Sequence, residues 1–145
     1  MKEISFKLGV DDSKPLGKAS LKPYGLVAFE LSGQADAGTK KGKYLELGVA
    51  PGTPLSKYAS VAFPTKVGLS LGDYYEAPGG GPDSKFGYFS VSGIVTVPIT
   101  GIPARLGGWN VHGGVEFQAL GDATKAFNGG DGSKIIGSFG IGLSY

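Results

Sequence analysis

From Gly137 to its last residue the chain reads Gly-Ser-Phe-Gly-Ile-Gly-Leu-Ser-Tyr, which sets Phe139, Ile141, Leu143 and Tyr145 against Ser138, Gly140, Gly142 and Ser144. Successive side chains of an extended strand point to opposite faces, so this segment is a strand with one apolar face and one face of very small residues. The pattern recurs six more times. Ile4, Phe6, Leu8 and Val10 oppose Glu3, Ser5, Lys7 and Gly9; Val27, Phe29 and Leu31 oppose Leu26, Ala28 and Glu30; Leu45, Leu47 and Val49 oppose Tyr44, Glu46 and Gly48. A longer run alternates from Ser60 to Gly72, another from Tyr88 to Ile99, and a sixth from Trp109 to Ala119.

Across these seven strands the apolar row carries no charge, although 18% of the chain is charged. Alternation alone also suits a soluble sheet that turns its apolar row inward, so the opposite row has to decide. That row is dominated by Gly, Ser and Ala, a poor solubilising coat but a good filling for the crowded inside of a narrow barrel. The expected fold is therefore all-β: a small antiparallel up-and-down transmembrane β-barrel, with lipid against the apolar row. Residues 1–145 form one such domain, the length leaving no room for a second. The alternative is a soluble lipocalin-like β-barrel binding an apolar small molecule.

Composition narrows the function classes. The chain has no cysteine, which removes disulfide scaffolds, thiol catalysis and cysteine-based zinc sites. A net charge of +2 with scattered basic residues gives no nucleic-acid footprint. The start, Met-Lys-Glu-Ile, has no export signal, so a bacterial outer-membrane location implies a leader removed or omitted. Seven strands are identifiable and eight are expected, because single-chain bacterial barrels have even strand numbers. Asp11 to Ser20 is too polar and broken to be the eighth. A truncated chain or a strand hidden from the pattern accounts for the count; closure by several chains would make the protein a homo-oligomer.

Connections alternate in length. Ser32 to Gly42, Ala77 to Lys85 and Gly121 to Lys134 are long, whereas Pro51 to Lys57 and Thr100 to Ala104 are short, the arrangement of outer loops and inner turns in such barrels. This threading sets Tyr58, Trp109 and Tyr145 in an aromatic girdle at the inner water boundary and Tyr74, Tyr75 and Phe86 in one at the outer boundary.

Several segments resemble the C-terminal portion of uncharacterised porin-like outer-membrane proteins of Gram-negative bacteria. They are Tyr44-Leu45-Glu46-Leu47-Gly48-Val49-Ala50-Pro51, Gly68 to Glu76 with Asp73 at its centre, Ile102-Pro103-Ala104-Arg105 before Trp109, and Asn128-Gly129-Gly130-Asp131 before the last strand. The resemblance spans about residues 24 to 145. It implies an outer-membrane location and a barrel fold, and only weakly a transport role, since the family has no agreed biochemical activity; no cofactor is expected. The partner implied is a lipid bilayer, or detergent in its place.

Charged residues on the inner row form the candidate site: Lys7, Glu30, Glu46, Lys66, His112 and Glu116. Charges withdrawn from water must pair or stay wet, so a narrow lumen should hold them as a network, with Lys66 and Glu46 as the expected ion pair. In a wider barrel the same side chains would line a passive pore. His112 and Glu116 with Ser90, Ser92 or Ser138 could be imagined as catalytic, but no nucleophile motif surrounds them, and the chain is read as a non-enzyme. Asn128-Gly129-Gly130-Asp131-Gly132 reads as a loop; calcium would need six or more converging oxygens, and no metal site is expected.

Overall fold

The computed structural model describes residues 2–12, 14, 20–32 and 40–144. Nine strand segments form one antiparallel sheet: β1 (Lys2–Gly9), β2 (Tyr24–Ser32), β3 (Lys43–Val49), β4 (Gly52–Ser56), β5 (Ala59–Ala62), β6 (Thr65–Gly72), β7 (Phe86–Ile99), β8 (Gly108–Leu120) and β9 (Ser133–Ser144). A 3-10 turn, Ala104–Leu106, precedes β8, and a six-residue helix α1, Asp122–Phe127, follows it.

The nine segments are seven runs of chain. β3 pairs with β6 while β4 pairs with β5, so 43–56 and 59–72 are two arms of one long hairpin. Pro51 interrupts it, having no N–H to give to the ladder, and Pro64 leaves the same gap on the side of β7. Pro51 O still accepts from Phe63 N at 2.8 Å, so the arms stay joined across the gap, and Pro64 O accepts from Ser92 N of β7 at 2.8 Å. Each run pairs with the next in sequence, and among the described residues β1, β9 and the short β4 pair on one side only.

The order of strands is therefore the expected meander, with corrections at its ends and connections. The sheet is not closed into a barrel: β1 and β9 do not pair with each other, and among the described residues no eighth strand lies between them. With seven runs the first and last point the same way, so they cannot complete an antiparallel ladder with each other. Most of the Asp11 to Ser20 segment lies outside the described residues. Pro51 to Lys57 is not an open turn, since it contains β4; Pro54 is tolerated there because β4 pairs on one side only. Gly121 to Lys134 is not all loop, because α1 occupies its first half and β9 begins at Ser133. Six residues are too few for helical periodicity to be visible in sequence.

Burial is the reverse of a soluble sheet. The apolar row faces outward: Phe139 is 80% exposed, Leu8 79% and Phe63 50%. It runs unbroken from strand to strand through cross-strand pairs such as Leu45 with Leu69, Val91 with Phe117, and Phe117 with Ile135. The other face holds the buried side chains, Ala28, Tyr44, Glu30, Ser70 and Ser90, with Tyr75 and Ala123 contributed by the connections.

The inner face is packed by setting large residues on glycines. Tyr24 pairs with Gly48, Tyr88 with Gly68, His112 with Gly140 and Asn110 with Gly142. A methyl group on Gly48 or Gly68 would lie 2.5 Å from the tyrosine ring above it, and one on Gly140 2.6 Å from His112 Nε2. Glycine is required at these positions by the close approach of a neighbour, which accounts for much of its abundance in the inner row.

Candidate functional site on the inner face

Glu46 on β3 is the centre of the site. Its carboxylate accepts hydrogen bonds from three tyrosine hydroxyls: Tyr24 at 2.8 Å, Tyr44 at 2.8 Å and Tyr88 at 2.7 Å. Tyr44 and Tyr88 reach it from β3 and β7 although β6 runs between them, and Gly68 on β6 leaves the room. Their hydroxyl oxygens are 3.0 Å apart. Tyr74 stacks on Tyr44 with ring centroids 4.8 Å apart, and Tyr75 meets both rings edge-on. Five tyrosines thus fill one part of the concave face around one carboxylate.

The anticipated Lys66–Glu46 ion pair is not formed: among the described residues neither takes part in an ion pair within 4 Å. In the sheet Lys66 pairs with Gly48, two residues from Glu46, and its ammonium lies 5.6 Å from the centre of the Tyr88 ring. Lys7 behaves likewise, with its Nζ 3.9 Å from the centre of the Tyr24 ring. The cations rest on the faces of tyrosines whose hydroxyls hold the carboxylate.

A second group lies further along the sheet. Glu116 on β8 accepts from the Ser90 hydroxyl at 2.5 Å and from Gln118 Nε2 at 2.8 Å. His112 Nδ1 is 3.1 Å from Asn110 Oδ1, and the imidazole lies over Gly140. Ser90 is thus committed to Glu116, and the hydrogen bond of His112 goes to Asn110. Glu30 accepts from the backbone N–H of Gly42 at 2.8 Å and ties the end of β2 to the start of β3. No buried side-chain polar atom among the described residues lacks a partner.

The connection from β6 to β7 folds inward over this face. Asp73 has a left-handed backbone, φ +52°, and reverses the chain. Tyr74 N then donates to Ser70 Oγ at 3.2 Å and Tyr75 N to Asp83 Oδ1 at 3.2 Å. Burial pushes both phenols up, and the Tyr74 hydroxyl donates to Glu3 Oε2 on β1 at 3.0 Å. Burial would also raise Asp83, but Lys85, the Ser70 hydroxyl and the Tyr75 N–H outweigh it and hold the carboxyl below its ordinary value. Glu76 is 1% exposed and accepts from Lys40 N at 3.2 Å, while Lys40 Nζ pairs with Asp73 at 3.1 Å.

These positions redraw the aromatic girdles. Tyr74 and Tyr75 belong to the interior, because the reversal at Asp73 turns them over the sheet instead of along its outer face. Phe86 is exposed at the same end of the sheet. At the other end Tyr58 is exposed in the two-residue turn between β4 and β5, and Trp109 is partly buried with its indole N–H donating to Leu106 O at 2.8 Å. Tyr145 lies outside the described residues.

Sequence reasoning missed the tyrosine cluster as a unit. Its signal was present in part, since Tyr44 stands in the inner row two residues from Glu46 and Tyr88 stands in the inner row of its own strand. Asn128-Gly129-Gly130 closes α1: Gly129 and Gly130 have φ of +70° and +91°, and Gly130 N returns to Lys125 O at 3.0 Å. Among the described residues no group of three His, Cys, Asp or Glu is arranged to hold a metal ion. No family model matches this chain, and no curated protein or solved structure matches it either.

Proposed function

We propose that this chain is a porin-like β-barrel component of a bacterial outer membrane, in which the apolar face of the sheet meets lipid and the tyrosine-lined face fills the interior. The observation that supports it most is the inversion of burial: apolar side chains outside in a continuous band, and Glu, Ser and Tyr inside with their polar atoms satisfied. In water an exposed band of this extent would drive association. In hydrocarbon it is the required surface, and the inner strands of the sheet keep their backbone groups paired on both sides. A membrane strand needs about 9–11 residues; β2 has 9 and β7, β8 and β9 have 14, 13 and 12, whereas β1 has 8 and the two hairpin arms reach that length only by counting β3 with β4 and β5 with β6.

Within that reading the interior favours a structural barrel with a mostly filled lumen over an open pore, because the tyrosine cluster and the inward β6–β7 connection occupy the concave side. The lipocalin-like alternative asks for an apolar row turned inward and finds support only in the all-β class.

The test is to fold the protein into phosphatidylcholine vesicles and compare wild type with Val91→Lys, placed mid-strand on the outer face. Insertion should give a band on a gel that migrates differently before and after boiling, and the lysine should cost about 2–4 kcal/mol of folding stability. A chain that stays monodisperse without detergent, with Val91→Lys neutral, would overturn the membrane reading. Single-channel steps in a planar bilayer would select the narrow passive pore over the filled barrel.

A further inference from the structure

The inner face is filled unevenly. The tyrosine cluster and the β6–β7 connection occupy the end where β6 stops, whereas the other end, beyond Tyr24, is an open cleft of about 410 Å³ lined by Lys7, Gly9, Asp11, Lys22, Tyr24 and Ala50. Lys7 and Gly9 belong to the row opposite Leu8, which puts the cleft on the side turned away from the apolar band. Through Lys22 and Ala50 it joins a second cleft of about 290 Å³ with small walls, Gly52, Pro54, Ser60 and Ala62.

Two cations border this space without a carboxylate to answer them. Lys7 Nζ lies 3.9 Å from the centre of the Tyr24 ring, and among the described residues neither Lys7 nor Lys22 takes part in an ion pair within 4 Å. The neighbouring acids are committed elsewhere. Glu46 holds three phenol hydroxyls, that of Tyr24 among them; Asp12 accepts from the Ser20 hydroxyl and from the N–H groups of Leu21 and Lys22; Asp11, the carboxylate of the lining, has a partner of its own. Lys22 also stands in the left-handed region, with φ +49°, where a side chain is costly and glycine is not. The bond of its N–H to Asp12 at 2.9 Å and that of Ala50 N to Leu21 O at 2.7 Å hold it there. What lysine adds over glycine at this position is an ammonium bordering both clefts.

We propose that this cleft binds a small soluble phosphomonoester, with its phosphate between the ammonium groups of Lys7 and Lys22 and its organic part in the small-walled cleft beside Ser60. Lysine meets phosphate as a point charge with three donors, and a phosphate monoester, near two negative charges at neutral pH, answers both cations at once, as a single carboxylate does not. The two clefts together have the size of an ordinary small-molecule site. Because they open away from the apolar band, the ligand comes from water and is not a phospholipid head group. The site is assembled from the ends of β1, β2 and β3 within one chain, so it needs neither a closed barrel nor the membrane reading above.

The test is calorimetric titration of the folded 145-residue chain in an uncharged detergent with glycerol 3-phosphate, and separately with glycerol and with dihexanoylphosphatidic acid. Glycerol 3-phosphate should bind saturably, one per chain, and glycerol should not. Lys7→Gln and Lys22→Gly should each weaken binding about tenfold, the loss of one charge-assisted contact. Lys22→Gly should at the same time melt at the same temperature or higher, because glycine relieves the backbone, so its loss of binding is not a loss of fold. Lys125→Gln, on α1 and outside both clefts, should bind as wild type does. The proposal is overturned by a folded chain that does not bind glycerol 3-phosphate, by binding that survives both Lys7→Gln and Lys22→Gly, or by tighter binding of dihexanoylphosphatidic acid, which would assign the site to a lipid head group. Vesicle insertion, read by gel mobility, reports separately on the membrane reading.

Discussion

Glu46 concentrates the consequences available at the scale of one side chain. Its three tyrosine donors make it the anchor of the inner face, and hydrogen bonds to a charged acceptor are the stronger kind. Glu46→Gln keeps one acceptor oxygen and turns an amide N–H toward hydroxyls that were donating; urea unfolding in detergent should show a loss of about 1–3 kcal/mol. Gly68→Ala should cost a similar ~1–3 kcal/mol by driving a methyl into Tyr88, whereas Gly93→Ala, with nothing within 4 Å, should be close to neutral. Asp12 gives a pH signature outside the strands. The Ser20 hydroxyl and the N–H groups of Leu21 and Lys22 hold its carboxyl down to about 2 from an ordinary 3.8. A depressed carboxylate contributes stability that is complete above its unfolded value and lost as pH falls through the folded one. Protection of the Leu21 and Lys22 amides, taken relative to their intrinsic exchange rates, should therefore fall between about pH 4 and pH 2, and Asp12→Asn should show that lower protection already at neutral pH. Alternation showed which side chains share the inner face, but it could not show that tyrosine hydroxyls, not Lys66, would hold Glu46. That depends on which glycines lie across from which rings, a matter of register between strands.

Single elements divide along the same line. Strands with a clean alternation were legible nearly to their ends, because a two-residue period survives in any seven-residue window. Elements fixed by one backbone angle or one missing N–H were not. Tyr74 and Tyr75 look outward in sequence, and the left-handed Asp73 sends them inward. Helix α1 escaped notice for its brevity, yet it is tied down: Thr124 Oγ1 donates to the carbonyls of Gly87 and Gly121, and Ala123 is buried. Thr124→Val keeps the shape and removes both bonds. It should cost ~1 kcal/mol and raise exchange at Gly121 N, which bonds Gly87 O at 2.8 Å, while leaving the β8–β9 ladder protected.

For the whole molecule, the direction in which the sheet turns its faces was legible, and its closure was not. Face choice is written in every strand by the absence of charge on one row. Closure depends on strand count and on what meets the two borders, and neither leaves a mark on local pattern.

The paired prolines give the long hairpin a crease. Beyond Pro51 and Pro64 the tip holds only a short ladder, four positions between β4 and β5, with the far side of β4 bare. Thermal agitation should therefore open this turn from Lys57 and Tyr58 back to the crease and stop there, since the β3–β6 zipper begins anew on the other side. The hairpin would melt in two stages, and a Pro51→Thr change that restores the missing donor opposite Phe63 should weld them into one.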